Sequence, residues 1–226
     1  MINNRLQFKQ TNINYSHKSK DRNIYIDNIN VWTSNPLIAG NSKLSNKILI
    51  FDLLAGNTCT NCKQCSKTCY AIKDQNRYPT VWNKRAINTY LVHSQLFYLQ
   101  QLIIKQLKNT KKDIIRIHSS GDFISQNYID MWTNIALVFS DKHFYSYTKV
   151  FNKYSFNGFL SLKNTNIVNS ILPDNSINYG SLKYIVNKAK QFNIDICPYG
   201  IIKESVKCGD TCCKCLHNEY MLFLKH

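Results

Sequence analysis

Acidic side chains are scarce in this sequence: 13 Asp and Glu stand against 29 Lys and Arg, for a formal charge of +16 at pH 7. That balance excludes an acidic surface and makes each carboxylate near a chemistry-bearing loop worth weighing. A strongly basic surface gains affinity for polyanions by releasing the counterions condensed on phosphates, so nucleic acid is the expected partner, with DNA favoured. Long apolar runs are also missing. No stretch approaches the roughly 20 residues of a membrane span, and residues 1–20 (MINNRLQFKQTNINYSHKSK) hold no apolar h-region. The expectation is a cytoplasmic protein with no membrane partner. No internal repeat or low-complexity tract stands out.

Cysteine is not scarce, and its placement is the strongest signal. All nine cysteines fall in two groups. The first reads Cys59-x2-Cys62-x2-Cys65-x3-Cys69; the second reads Cys208-x3-Cys212-Cys213-x-Cys215, with Cys197 upstream. In a reducing compartment such spacing points to a metal or cluster rather than to disulfides. Cys59, Cys62, Cys65 and Cys69 supply one set of four thiolates. Cys197, Cys208, Cys212 and Cys215 supply a second, leaving Cys213 spare. Four-thiolate Zn2+ accounts for both sets. A [4Fe-4S] cluster is the alternative, since the first run has the gaps of bacterial ferredoxins with Tyr70 in place of the usual proline.

Between the cysteines the pattern is α/β. Residues 1–46 read as a basic N-terminal arm or cap with a β-type stretch from Asn23 to Trp32, and residues 47–226 as an α/β domain carrying cysteine loops at 59–69 and 197–215. Apolar runs predict strands at 47–51, 113–118, 143–148, 158–162 and 194–197. Helical periodicity predicts one long helix from Trp82 to Lys108, a second over 128–139 and a third over 182–189. Alternating strands and helices imply parallel βαβ units. The fold expected first is an incomplete or distorted TIM-like barrel of such units; an open doubly wound sheet is second.

Parallel α/β folds collect function in loops at the carboxyl ends of their strands. The first cysteine loop, the turn His118-Ser119-Ser120-Gly121-Asp122 and Cys197 all follow strands. Asp122 is the candidate catalytic carboxylate, presented by a turn that Gly121 permits, and able to serve as nucleophile, general base or cation ligand. His118 is placed to orient it or to move a proton. Ser120 and Gly121 line the same turn. Tyr145, Tyr147 and Lys149 alternate along one strand and so share a wall suited to a base and its phosphate. Arg85, with Arg77 and Lys84, is a phosphate contact or part of a solvated face. Asp52 and Asp195 are further carboxylates beside the cysteine loops.

Cys59…Cys65-x3-Cys69-Tyr70-Ala71, Ile115–Phe123 (IRIHSSGDF), Phe144–Lys149 (FYSYTK) and Cys197-Pro198 together resemble a family of small phage-encoded proteins that carry a gene-product label. Cys62 and Cys213 are additions to that pattern. The Ser119–Phe123 turn is also similar to the Asp-Ser-Gly-Gly-Phe turn of tRNA-guanine transglycosylases and their DNA-directed DpdA-type relatives, with the aspartate displaced. That resemblance implies a barrel, a zinc site and an aspartate that attacks the sugar, with a 7-deazaguanine base as the small-molecule substrate. The function expected first is therefore transglycosylase-type exchange of guanine for a 7-deazaguanine in DNA. An iron–sulfur enzyme, of radical type or not, and a non-catalytic zinc-bound nucleic-acid-binding protein are the alternatives.

Overall fold

The computed structural model describes residues 35–40, 44–59, 69–169, 195–196 and 221–222. The chain divides into two units, Met1–Ser34 and Asn35–His226. The expected β-type stretch at Asn23–Trp32 and the expected helix at 182–189 lie outside the described residues.

The described part of the second unit is a mixed α/β body. Its elements run β1 (Ile38–Ala39), β2 (Ile48–Phe51), α1 (Tyr70–Arg77), α2 (Pro79–Ser94), α3 (Leu96–Lys108), β3 (Ile114–Ile117), α4 (Gln126–Val138), β4 (His143–Thr148), α5 (Asn157–Leu160) and β5 (Thr165–Asn169). Two short strands, β6 (Asp195–Ile196) and β7 (Met221–Leu222), pair in parallel as a separate sheet.

The main sheet has the order β1-β2-β3-β4-β5. β1 pairs antiparallel with β2, and every later pair is parallel. Strands β2 to β5 advance in one direction without the reversal that marks a doubly wound sheet. Right-handed crossovers then place the connecting helices on one face, where α3 packs on α4 and α4 on α5. Among the described residues the sheet is open, with β1 and β5 as its edges. The barrel expectation is thus met at the level of a mostly parallel α/β sheet. The edge strand β1, flanked by the buried Leu37 and Leu44, comes from the stretch read as an arm and sits in the α/β unit.

Local sequence explains most elements. β2 is four buried apolar residues. Helix α4 starts where the Ser125 hydroxyl accepts the Tyr128 N–H, a side-chain cap that satisfies one of the orphan donors of a helix start. Its stripe of Tyr128, Ile129, Trp132, Ile135 and Ala136 is fully buried. Two expectations need correction. The single helix over 82–108 is two helices, because Gln95 takes non-helical backbone angles (φ −145°, ψ 46°) between α2 and α3. A straight helix of that length would run about 40 Å, and the break lets Leu91 and Leu99, on either side of it, both be buried. The strand expected at 158–162 is instead the helical turn α5, which buries Phe159 and leaves Leu160 exposed. The strand follows at Thr165–Asn169. Asn164 anchors its start by donating through Nδ2 to the carbonyls of Ala136, Phe139 and Lys142.

Register divides the sheet into two faces, since paired residues project to the same side. Phe51 and Phe144 meet Trp132 of α4 at ring separations of 5.3 and 6.5 Å, which identifies the helix face. The opposite face carries Ile50, Arg116, Tyr145 and Asn166 in one paired row. Nearer the amino ends, Ile48, Ile50 and Leu44 form an apolar cluster on which Ile114 packs.

Candidate functional site

Two carboxylates, Asp52 after β2 and Asp122 after β3, organise the carboxyl ends of the strands. Both are buried. Because acceptor-only groups removed from water must find donors, their partners fix the local chain path.

Asp52 gathers the start of the turn after β3. Its Oδ1 accepts the backbone N–H groups of Ser119 (2.7 Å) and Ser120 (2.9 Å), and the Ser119 hydroxyl reaches both carboxylate oxygens at 2.8 Å. Arg85 of α2 approaches Oδ2 at 3.4 Å and donates to the Ala71 carbonyl at 2.8 Å. His118 makes this convergence possible. Its N–H continues the ladder to Phe51, and its φ of 66° then turns the next two N–H groups onto Asp52. A histidine in the left-handed region is uncommon and is held there by its surroundings.

Asp122 ties β3 to β4. Oδ1 accepts the Phe123 N–H (2.8 Å) and the Thr148 hydroxyl (2.6 Å), and Oδ2 accepts the Lys149 N–H (2.9 Å). Burial raises its pKa, while the donors from Thr148, Lys149 and Phe123 pull the other way. Ser125 caps α4, so Asp122 is not spent on that role. Gly121 beside it has φ +85°, and a Cβ there would lie 2.6 Å from the Leu53 Cβ and 2.7 Å from the Thr58 Oγ1. Only glycine fits such a backbone in so close an approach.

His118 sits apart from Asp122 in an aromatic cluster. Its ring packs edge-on to Phe123 at 4.7 Å, and Nε2 bonds the Tyr128 hydroxyl at 2.8 Å. Burial, and then the charge of Arg116, lower its pKa to about 3, so the imidazole is neutral at physiological pH. No hydrogen bond joins it to Asp122 among the described residues. The arrangement suits a packed, neutral histidine, and the expected orienting contact to Asp122 is taken by Thr148 instead.

The sheet face opposite the helices holds the aromatic wall. Tyr145 is buried and Tyr147 half-buried, with their rings edge-to-face at 6.0 Å. Arg116, one strand away, lays its guanidinium over Tyr147 at 4.9 Å from the ring centre. Nothing in the sequence singles out Arg116, because a charged residue at an alternate position of a strand ordinarily points to solvent. Its paired neighbours, Ile50 and Tyr145, are the signal that could have found it. Lys149 follows on this strand and is fixed through its backbone by Asp122. Arg85, expected at a phosphate or on a solvated face, is buried against Asp52, as is Ser120, whose hydroxyl donates to the Leu53 carbonyl at 2.8 Å. Lys84 bonds the Asn35 carbonyl, and burial lowers its pKa to about 8. Arg77 stacks on Tyr78 at 5.3 Å.

Both ends of the first cysteine loop reach the turn after β3. Thr58, next to Cys59, fills the space above Gly121, and Tyr70, next to Cys69, donates its hydroxyl to the Ser119 carbonyl at 2.5 Å. Cys59 and Cys69 are partly exposed. Cys62 and Cys65 lie outside the described residues, as do Cys197, Cys208, Cys212, Cys213 and Cys215, and among the described residues no three ligand side chains form a metal cluster. The donor set of the first loop, four thiols over eleven residues, fits zinc or an iron–sulfur cluster equally in number and type. No helix among the described residues is long and apolar enough to cross a membrane.

The family model described as "Gene product 88" matches residues 17–212. The Gene 88 protein of Mycobacterium phage D29 is 27% identical over 126 residues, covering 49% of this chain and 50% of that protein. The chain therefore spans about half the length of the curated relative it matches. No solved structure matches.

Proposed function

This chain belongs to the Gene product 88 family, and we propose that it is a nucleic-acid base-modifying enzyme that exchanges guanine for a 7-deazaguanine in DNA. The observation that carries this reading is the meeting of the Ser119–Asp122 turn with both ends of the first cysteine loop, through Thr58 against Gly121 and Tyr70 on Ser119. A carboxylate, a thiol-rich loop and an arginine–tyrosine face then serve one rim of a basic protein. The resemblance of the turn to transglycosylases supplies the reaction class and the kind of base.

In this reading Asp122 acts through Oδ2, which receives one N–H and keeps a lone pair. Oδ2 attacks C1′ of a flipped nucleoside as the N-glycosidic bond breaks. Guanine departs with the bonding pair and takes up a proton. The incoming 7-deazaguanine loses its N9 proton as it attacks C1′ and releases the carboxylate, so the exchange balances without a redox partner. Zinc held by Cys59, Cys62, Cys65 and Cys69 would be structural, fixing the loop against the rim.

One observation favours a second reading, a zinc-bound nucleic-acid-binding protein without catalysis. Both oxygens of Asp122 are engaged within the fold, which is what a purely structural carboxylate requires. Mass spectrometry of DNA nucleosides from cells given a 7-deazaguanine supply separates the two. Wild-type protein is expected to yield the modified nucleoside, and Asp122→Asn to yield none while still binding DNA. Ordinary nucleosides alone from wild-type cells would remove the enzyme reading and leave the binding one.

A further inference from the structure

We propose that Arg116 is a phosphate seat on the sheet face opposite the helices, gripping one backbone phosphodiester of a single strand whose adjacent base packs by Tyr147. The proposal rests on the nucleic-acid reading above and names the contact that reading lacks.

Arg116 lies mid-strand in β3 between two buried isoleucines, Ile115 and Ile117. Its register partners Ile50 and Tyr145 are buried as well. Arg116 itself is half-buried, so its charge is partly withdrawn from water, which is costly unless compensated. Among the described residues no carboxylate lies within ion-pairing distance of it. Among the described residues its one hydrogen bond is a long one, from Nε to the His118 carbonyl at 3.4 Å. That contact draws the side chain along the strand toward the carboxyl-end rim.

Its surroundings fit an anion better than a structural counter-ion. Among the described residues the carboxylate acting on it is Asp52, and that carboxylate already accepts from Ser119, Ser120 and Arg85. The phenols of Tyr145, Tyr70 and Tyr147 are also close enough to act on it, but a neutral phenol does not cancel a positive charge. The planar fork of arginine matches phosphate in a bidentate manner. One face of that fork is already held against Tyr147, so little ordering remains to be done on binding. An aromatic ring next to a cation is also how sequence-tolerant single-strand sites hold base and phosphate together. Arg116 is thus a fixed, charged fork whose terminal donors have no described partner.

The test uses the full chain and a short fluorescent single-stranded oligodeoxynucleotide, with anisotropy read from about 50 to 200 mM salt. Arg116→Met is expected to weaken binding about tenfold and to reduce the salt slope by about 0.7. Tyr147→Leu is expected to weaken binding of the base-bearing strand but not of an abasic strand of equal length. Arg116→Met with wild-type affinity and slope, and with an unchanged circular dichroism spectrum, overturns the seat. Should that variant not fold, Arg116→Lys decides: it keeps the charge but loses the fork, so a several-fold loss supports the seat and none overturns it. The two proposals fail separately. A seat that passes with no modified nucleoside formed leaves the site and removes the exchange chemistry. If wild-type protein binds no nucleic acid, inorganic phosphate is titrated instead. A rise in melting temperature lost in Arg116→Met keeps a small-anion seat, and no rise removes it.

Discussion

Asp122 and Thr148 join the ends of two adjacent parallel strands through a 2.6 Å hydrogen bond between carboxylate and hydroxyl. Parallel strands have no hairpin to hold their ends together, so a side-chain clasp does that work. The same hydroxyl accepts the Val150 N–H at 3.1 Å, which extends the clasp into the chain leaving β4. Thr148→Val keeps the shape and removes both bonds. It is expected to cost about 1.5–3 kcal/mol, the usual range for a lost hydrogen bond to a charged group. Asp122→Ala strands the Phe123 and Lys149 N–H groups as well and is expected to cost more. Urea unfolding measures both.

The two buried titratable groups of the turn respond to pH in opposite senses. Asp122 has a raised pKa, from burial first, so its contribution is fully present below the ordinary value of 3.8 and is lost as pH rises through the folded value. His118 has a lowered pKa, about 3 against 6.5. Its contribution is present above 6.5 and is lost as pH falls toward 3, by up to about 1.4 kcal/mol per pH unit. The His118 contribution is therefore expected to fall on acidification below 6.5 while that of Asp122 rises, and the His118 imidazole signals to stay fixed between about pH 8 and pH 5 in an NMR titration. Movement of those signals with an ordinary midpoint would place the ring in solvent.

Asp52 and Arg85 form a buried pair whose loss is expected to be asymmetric. Asp52→Ala leaves a buried guanidinium without its carboxylate and releases two backbone N–H groups, for an expected cost of about 3–5 kcal/mol. Removing Arg85 as well deletes the uncompensated charge. The double variant Asp52→Ala/Arg85→Met is therefore expected to be less destabilised than the sum of the single variants. Additive costs in thermal or urea unfolding would show that the two side chains do not act as a pair.

Much of this was legible in the sequence where one pattern dominates. KILIF reads as a buried strand because every residue of β2 is buried, and the stripe of α4 reads correctly because its period matches its one apolar face. The carboxyl-end placement of Asp122 follows from strand direction alone. What failed depended on context. Gln95 breaks the long helix by backbone angle, for which its side chain gives no cue. GFLSL reads as a strand because one helical turn is too short to show a helical period. Sequence proximity suggests His118, four residues away, as the partner of Asp122, but parallel pairing brings in Thr148, 26 residues on. Arg85 and Arg116 show the same limit: whether a basic residue faces water depends on what another element lays over it.

Gly121→Ala is expected to be among the most damaging single-methyl additions in the turn. The backbone conformation penalises any side chain, and the new Cβ would meet the Leu53 Cβ at 2.6 Å, a contact no rotation relieves. A cost of about 2–4 kcal/mol is expected from strain and overpacking together. The displaced Thr58 hydroxyl, which donates to the Leu54 carbonyl at 2.6 Å, would carry the disturbance to Cys59. Thr58→Ala in the same background is therefore expected to restore part of the loss. A double variant no more stable than Gly121→Ala would mean that the oxygen contact does not contribute.

Metal content tests the loop that the turn supports. If Cys59, Cys62, Cys65 and Cys69 hold one ion, the turn after β3 is braced from outside, because Thr58 and Tyr70 adjoin the first and last ligands. Protein prepared without oxygen is then expected to carry zinc by elemental analysis, and Cys69→Ser to lower the content and the melting temperature together. Chelation is expected to do the same, since metal affinity here is part of folding free energy. The sharper readout is Tyr70→Phe, which removes the bond to Ser119 but no ligand. It is expected to leave metal content unchanged while lowering the melting temperature, because it cuts the link between loop and turn rather than the site itself. A brown protein containing iron and sulfide would replace zinc with a cluster. A metal-free protein of full stability would remove the brace altogether, and with it the reason for the cysteine loop to meet the acidic turn.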